Sequence, residues 1–393
     1  MGGPLAGLAV VELAGIGPAP FAGMLLADLG ADVVRVDRPD ESSFPGDPRH
    51  DLLGRGKRSV AIDLKREAGA AAVCALAARA DVLIEGFRPG VAERLGIGPE
   101  QCHATNPRLV YGRMTGWGQD GPLAATAGHD LNYIGLTGVL HAIGPGGEPP
   151  VPPLNVVGDY GGGGMLLVAG VLAALWSAQR TGVGQVVDAA VVDGTALLAT
   201  QLYGLLHSGL WRDERGANLL DGGAPFYGVY LAADGAPIAV GPLEERFYAE
   251  FVERLGLGEG APSRLDPAAW PRLREMIAAR FAARSRAEWL AEFAGSDACV
   301  TPVLSLREAA GAGGSAHPHL AARGVFADLH GVRQPAPAPR FSATPAGLPV
   351  RPPPLPGEHT REVLAEWGVA GAAQLLAEGV AVPAVADKDP LSS

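Results

Sequence analysis

The first forty residues contain the pattern that most restricts the possible folds. An apolar run at residues 8–13 predicts a short buried strand, and residues 21–29 predict a helix that ends at Gly30. A second apolar run at residues 31–36 predicts another strand. Strand, glycine-containing turn, helix and strand in this order form a βαβ unit, which requires a parallel sheet. The sequence therefore predicts an α/β fold with an open, mostly parallel, Rossmann-like sheet.

Weaker repeats of the same pattern extend the predicted sheet. Strands are predicted at residues 59–62, 81–84 and 109–111, and a helix at residues 68–80. Open parallel sheets bind ligands beyond the carboxyl ends of their strands. The candidate ligand-binding segments are therefore the ones that follow the predicted strands: residues 14–20, 37–39, 85–89 and 113–119.

The glycines after the first strand do not form a dinucleotide-binding motif. Gly15 and Gly17 match its first two glycines, but Pro20 stands where the third glycine allows close helix packing. Pro18 also removes a backbone N–H group from the would-be phosphate-binding turn. NAD and FAD are therefore not expected here.

The length of 393 residues predicts two domains. We expect residues 1–210 to form a large domain and residues 222–318 to form a smaller α+β domain with a hairpin at Asp234-Gly235. Residues 334–357 contain many prolines and predict an extended connector without a helix or a central strand. The tail, residues 370–393, is alanine-rich and then polar, and we expect its end to be disordered.

Charge and cysteine content exclude several classes of protein. The formal net charge of -11 disfavours general binding of nucleic acid or of an anionic membrane. The longest apolar stretch, Met165–Trp176, is shorter than the roughly 20 residues that cross a bilayer. Three widely spaced cysteines form neither a disulfide framework nor a zinc motif. We see no signal peptide before the first strand and therefore expect a cytoplasmic protein. Because no metal motif is present, we expect no metal.

Three side chains are candidates for chemistry, and each also has a structural interpretation. His129 follows Gly128 and precedes a helical pattern, so it either faces a cleft or lies on the surface as a helix cap. Asp159 precedes four glycines, residues 161–164. It is either an ordinary N-cap of the following helix or, as the glycines suggest, a residue where the backbone closely approaches a ligand. Glu244 is a third candidate or a simple first-turn carboxylate.

Cations concentrate in the first third of this acidic chain. They form either a solvated face or a site for a phosphorylated ligand. No P-loop sequence is present, so nucleoside triphosphate hydrolysis is not supported. The cations are Arg38, Arg55, Lys57, Arg58, Lys65, Arg88, Arg94 and Arg113.

Many short motifs, in order along nearly the whole chain, resemble those of the class III CoA-transferase (CaiB/BaiF) family. They include ADLGADVVRVDR at residues 27–38, EGFRPG at 85–90 and MTGWGQ at 114–119. GHDLNYI at 128–134 and PLNVVGD at 153–159 resemble the branch of the family that racemises acyl-CoA thioesters.

The resemblance implies an architecture that the patterns alone do not give. Members of the family are interlocked homodimers whose large domain is built from both ends of the chain. Residues 325–368 would then return to complete the large domain that residues 1–210 begin. The implied active site lies between domains.

The resemblance also implies roles for individual residues. His129 and Asp159 match the acid/base pair, Glu244 matches the carboxylate that orients the histidine, and Asn155 supports the site. Gly161 and Gly162 would offer N–H groups to the thioester oxygen, and we expect the helix that starts there to lower the pKa of Asp159. The positions that match CoA-binding residues are Arg38, Lys65, Arg88 and Arg94. No further cofactor is implied, since CoA arrives as part of the substrate.

Three functions are consistent with these residues. The first is racemisation or epimerisation of 2-methyl-branched acyl-CoA thioesters, in which two bases remove and return the α-proton through an enolate. The second is CoA transfer, with Asp159 as a nucleophile that forms an acyl anhydride. The third is CoA binding without catalysis. His129 and Glu244 favour the first function, because a transferase needs no base at residue 129.

Overall fold

The computed structural model describes residues 2–39, 44–258, 260–311 and 316–384, and within them the chain forms two compact units. The first unit contains the residues up to Thr137, Leu154–Leu198 and the residues from Ala327 onward. The second unit contains Gly138–Pro153 and Ala199–Phe326. Each unit is described by itself.

The described residues contain twelve strands and fifteen α-helices. The strands are β1 (Ala9–Leu13), β2 (Asp32–Asp37), β3 (Arg58–Ile62), β4 (Val82–Glu85), β5 (Val110–Thr115), β6 (Val186–Ala190), β7 (Gly228–Leu231), β8 (Pro237–Val240), β9 (Val300–Pro302), β10 (Phe326–Leu329), β11 (Val332–Pro335) and β12 (Ala381–Val382). The helices are α1 (Pro18–Asp28), α2 (Glu67–Ala77), α3 (Val91–Arg94), α4 (Pro99–Thr105), α5 (Asp130–Leu136), α6 (Leu166–Thr181), α7 (Val191–Leu198), α8 (Thr200–His207), α9 (Glu245–Leu255), α10 (Trp270–Phe281), α11 (Arg286–Glu292), α12 (Leu306–Ala310), α13 (Pro318–Ala322), α14 (Thr360–Glu366) and α15 (Ala372–Ala377).

The first unit is built on a seven-stranded sheet in the order β12-β3-β2-β1-β4-β5-β6. All neighbouring pairs are parallel except β12, which runs antiparallel to β3. The predicted α/β fold with a mostly parallel sheet is therefore confirmed. Because the chain adds β2 and β3 on one side of β1, and β4 to β6 on the other, the loops that follow β1 and β4 leave a crevice between them.

Helices cover both faces of this sheet. Val10 and Val33 pack on one face with residues of α1 and α6, whereas Val11 and Val34 pack on the other face with residues of α2 and α14. This alternation follows from the two-residue period of a strand. Strands that are buried on both faces have nearly continuous apolar sequences, as the runs in β1 and β2 show.

A fully buried ion pair fastens the sheet to α1. Lys57 Nζ donates to Glu12 Oε2 at 2.6 Å and to the carbonyl of Pro20 at 2.9 Å, and neither charged side chain is exposed. Burial raises the pKa of Glu12 and lowers the pKa of Lys57. Gly23 makes room for the pair, since a Cβ atom there would lie 1.8 Å from Glu12 Oε2.

The second unit contains the antiparallel sheet β7-β8-β9. The predicted hairpin at Asp234-Gly235 is confirmed by the β7–β8 pair, and Gly235 has the positive φ of 75° that such a turn requires. Helices α9, α10 and α11 supply most of its core. Their buried side chains are Phe251, Leu273, Ile277, Phe281 and Trp289.

Residues 138–153 and 199–210 lie in the second unit, whereas the sequence analysis assigned them to the large domain. Arg215 explains part of this difference, because its guanidinium donates to the carbonyls of His141, Pro145 and Glu148. Such long-range hydrogen bonds leave no mark in the local sequence pattern.

The segment that precedes α6 is also helical. A π-helical turn (Val157–Met165) joins α6, so the helical run Leu154–Thr181 is longer than the apolar stretch predicted from sequence. By length and composition this run could cross a membrane. In the structure it is a core helix, because Leu167, Val168 and Val171 are buried against the sheet.

The alanine-rich part of the tail, as far as residue 384, belongs to the first unit, whereas the disorder expected at the end of the tail stays a prediction. Helix α15 and strand β12 belong to the first unit, where Ala381 pairs with Ile62 and is buried. The apolar residues Val380 and Ala381 supply the reason, because they close the edge of the sheet. Residues 385–393 lie outside the described residues.

We predict that Lys57→Met lowers the free energy of unfolding by about 3–5 kcal/mol, because it leaves Glu12 buried without its partner. The double variant Glu12→Gln/Lys57→Met should recover a large part of this loss, since neither position then carries a charge. Urea unfolding followed by circular dichroism measures both values. Equal losses in the single and double variants would contradict a charge-based explanation.

Candidate active site

A cavity of about 530 Å³ lies in the crevice beside β1 and β4, and we call it the switch-point cavity. The loops that follow β1, β4 and β5 line it, so three of the segments predicted from the strand ends lie around one cavity. That they bind a ligand stays a prediction. It also contains four of the predicted site residues: Arg88, His129, Asn155 and Asp159.

His129 lines the cavity from the start of a helix and is exposed, so it fits both interpretations that the sequence left open, the cleft-facing residue and the helix cap. It is the N-cap residue of α5, and its backbone N–H donates to Asn132 Oδ1 at 3.0 Å. The backbone N–H of Asn132 in turn donates to the His129 carbonyl at 2.8 Å. These reciprocal bonds fix the backbone from which the imidazole projects.

Two aromatic rings hold the residue that precedes His129. Trp117 and Tyr133 pack edge to face, with ring centroids 4.7 Å apart. The Tyr133 hydroxyl donates to the carbonyl of Gly128. A Cβ atom at Gly128 would lie 2.7 Å from the Tyr133 ring and 3.0 Å from Trp117 Nε1, so only glycine fits there.

Asp159 projects from the π-helical turn. Such turns often occur at functional sites. Asn155 Nδ2 donates to Asp159 Oδ2 at 3.3 Å. The backbone N–H of Asp159 donates to Asp130 Oδ1 at 2.7 Å. Asp159 is partly buried, and Tyr160 beside it packs on the ring of Phe21.

Burial raises the pKa of Asp159 above its ordinary value. The hydrogen bond from Asn155 opposes this rise, the negative charge of Asp130 adds to it, and His129 opposes it. The expectation that a helix start would lower this pKa is therefore wrong. Asp159 does lie in the first turn of the π-helical segment, but loss of water on burial is the largest effect on its pKa.

The four glycines after Asp159 pack closely against neighbouring helices. A Cβ atom at Gly162 would lie 2.7 Å from the backbone nitrogen of Thr195 in α7, and one at Gly164 would lie 2.7 Å from the ring of Phe21 in α1. Close packing is thus one sufficient reason for the glycines. The predicted contribution of Gly161 and Gly162 to binding the thioester oxygen stays a prediction.

The predicted CoA-binding cations line three adjoining cavities. Arg88 lines the switch-point cavity, and Arg38 and Lys65 line a second cavity of about 570 Å³. Lys65 and Arg94 line a third cavity of about 460 Å³. Phe87 lines both the first and the second cavity, so these two adjoin.

Glu244 belongs to the second unit, where it is exposed and immediately precedes α9. It lies near Cys299, whose pKa is raised mainly by burial and also by the Glu244 charge. Its predicted orientation of His129, which belongs to the first unit, stays a prediction.

The switch-point cavity therefore places two groups that can exchange protons on different elements, His129 from α5 and Asp159 from the π-helical turn. Two such groups around one bound carbon can remove a proton and return one. Within the ranges that the structure describes, no group of three or more His, Cys, Asp or Glu side chains could hold a metal ion.

Sequence reasoning missed three residues that shape the site: Trp117, Asp130 and Tyr133. All three lie in the motifs that carried the family resemblance, at residues 114–119 and 128–134. Asp130 directly follows the candidate base and is only 8% exposed, although a charged residue at a helix start is normally solvated. Its contact with Asp159 spans 29 residues and gives no local pattern.

Comparisons to known proteins agree with this fold. The model of CoA-transferase family III matches residues 5–360, and the chain belongs to that family. It is 48% identical to α-methylacyl-CoA racemase of Mus musculus and 46% identical to that of Homo sapiens, with 93% of each chain covered. A CAIB/BAIF family protein from Brucella suis has a similar structure, with a TM-score of 0.80 and 29% identity over 93% of this chain and all of the other.

We predict that Asn155→Ala raises the pKa of Asp159 further, because the variant removes a hydrogen bond to the charged carboxylate. The carboxyl ¹³C chemical shift of Asp159, followed by NMR as pH is varied, measures this pKa. Asp159→Asn identifies the resonance. An unchanged or lower pKa in Asn155→Ala would contradict the role of Asn155.

Proposed function

We propose that this protein is an isomerase that inverts the α-carbon of 2-methyl-branched acyl-CoA thioesters. The observation that carries the proposal is that His129 and Asp159 both line the switch-point cavity. Relatives that are 46–48% identical over 93% of the chain are named α-methylacyl-CoA racemase, which supports the same reaction type.

The proposed reaction uses the two groups in turn. One removes the α-proton to give an enolate, and the other donates a proton to the opposite face of the carbon. In the reverse direction the roles exchange. Partial burial suits Asp159 to this task, because a carboxylate with a raised pKa is a stronger base than an exposed one. Glu244 would orient His129 in this mechanism.

The cations would hold the CoA part of the substrate. Arg38 and Lys65 in the second cavity, with Arg94 in the third, present positive charge to phosphate groups. Arg88 lies closer to the acid/base pair. The acyl thioester would pass Phe87 from the second cavity into the switch-point cavity. This reaction requires proton transfer only, so we propose no cofactor besides the CoA of the substrate.

We also propose that the enzyme is cytoplasmic and binds neither nucleic acid nor a membrane. The net charge of -11 supports the absence of nucleic-acid and membrane partners, because it opposes general binding to either polyanionic surface.

We predict that one enantiomer of a 2-methylacyl-CoA takes up deuterium at its α-carbon when incubated with the protein in D₂O. The opposite epimer should accumulate with it, because removal and return of the proton occur on different faces. His129→Ala and Asp159→Ala should each slow the exchange by about 10²–10⁴-fold. Mass spectrometry of the thioester and chiral chromatography of the released acid measure both products.

Matched controls and an added acceptor make this experiment decisive. His319→Ala and Asp213→Ala remove the same side chains at exposed positions and should exchange at the wild-type rate. A second reaction contains a carboxylic acid acceptor. Transfer of CoA to that acid, without deuterium at the α-carbon, would make Asp159 a nucleophile and support the CoA-transferase alternative instead.

We further propose that the protein is a homodimer with interlocked subunits. Exposed large apolar side chains on each unit support association with a second copy, because their burial in an interface would remove apolar surface from water. They are Met165, Trp176, Leu197 and Leu198 in the first unit, and Tyr203, Leu206 and Leu210 in the second.

We predict that light scattering during size-exclusion chromatography gives twice the 40.2 kDa mass of one chain. Interlocked subunits cannot separate without opening, so the dimer should persist when the protein is diluted to nanomolar concentration. Mixing the protein with an isotope-labelled copy should therefore give hybrid dimers only after unfolding and refolding. A monomeric mass, or rapid formation of hybrids, would contradict this prediction.

A further inference from the structure

We infer that Asp130 is the positioning residue that ties the two proposed bases together and supports the basicity of one of them. This inference rests on the proposed function, since it assigns a task to a side chain that does not itself transfer the proton. The contact that carries it joins Asp130 Oδ1 to the backbone N–H of Asp159 at 2.7 Å.

The contact links the two bases by a very short path. His129 and Asp130 are neighbours in the chain, and the Asp130 carboxylate binds the backbone of Asp159 directly. The helix start that carries the histidine is thus fastened to the turn that carries the aspartate. A two-base mechanism needs such a link, because the separation of the bases must match the two faces of one carbon.

The surroundings of Asp130 fit this specific contact. Its side chain is buried, and a buried carboxylate needs partners to offset the loss of water. A Cβ atom at Gly158 would lie 2.3 Å from Asp130 Oδ1 and 2.7 Å from Ile134 Cγ2. The glycine therefore provides the space through which the carboxylate reaches the Asp159 backbone.

The negative charge of Asp130 has a second consequence. An amide oxygen could accept the same hydrogen bond, but only a carboxylate adds a charge that disfavours ionised Asp159. Asp130 and burial raise the pKa of Asp159, whereas Asn155 and His129 lower it. The other titratable side chains that line the cavity are Arg88, Tyr133 and Tyr160. Asp130 and Asn155 thus act on one carboxylate in opposite directions.

Two substitutions separate the structural role from the electrostatic role. Asp130→Asn keeps an acceptor for the Asp159 N–H and removes the charge. We expect the acid limb of kcat/KM for α-proton exchange to move to lower pH, because Asp159 stays ionised to a lower pH. Asn155→Ala should move the same limb to higher pH. A purely structural residue would lower kcat without moving the limb in either direction.

Asp130→Ala removes both the acceptor and the charge. We expect kcat to fall about 10²-fold with KM within about threefold of wild type, since misplaced bases slow chemistry more than they weaken CoA binding. Gly158→Ala should resemble Asp130→Ala, because it displaces the carboxylate without removing a polar group. Asp188→Asn is the matched control, since Asp188 also accepts a backbone N–H, that of Gln119, and lies outside the cavity lining. It should leave the acid limb unmoved.

The outcomes distinguish this inference from the proposed function. Exchange by the wild type, with the limb moved in Asp130→Asn and kcat lost in Asp130→Ala, supports both. Exchange by the wild type with an unmoved limb in Asp130→Asn and normal kcat in Asp130→Ala overturns the role of Asp130 and leaves racemisation intact. Absence of α-proton exchange in the wild type overturns both.

Discussion

The strand order of the large sheet is the constraint on which the site depends. Because strands are added to both sides of β1, the loops after β1 and β4 separate and leave a crevice at their carboxyl ends. Helix α1 begins in that crevice, and the buried pair of Glu12 and Lys57 holds its first turn through the carbonyl of Pro20. Removing a charge pair from water costs free energy. Here the pair joins β1, the start of β3 and α1 at one point.

Within the crevice, the chemistry of Asp159 results from competition between burial and hydrogen bonding. Loss of water and the nearby charge of Asp130 raise its pKa, while Asn155 and His129 lower it. The balance leaves a carboxylate that is more basic than an exposed aspartate. A base that removes an α-carbon proton benefits from this shift, because the pKa of its carboxyl group then lies closer to the pKa of the α-carbon C–H group.

Much of this arrangement could be predicted from sequence, because it depends on local patterns. Apolar runs locate β1 and β2, and the rule for strand ends locates the cavity before any contact is known. The helix start at His129 also follows from its neighbours. The π-helical turn, the sheet position of β12 and the bond from Asp159 to Asp130 could not be predicted this way. Each depends on contacts between residues that are far apart in the chain.

The glycines show why such residues resist interpretation from sequence. Four of them follow Asp159, and the sequence favours close approach to a ligand as their explanation. In the structure, Gly162 and Gly164 let the π-helical turn lie directly against α7 and α1, while Gly158 admits the carboxylate of Asp130. A side chain at any of these positions would move the turn that carries Asp159. Close packing and catalysis are therefore not competing explanations, because a base held this firmly by neighbouring helices can keep a fixed distance from its partner.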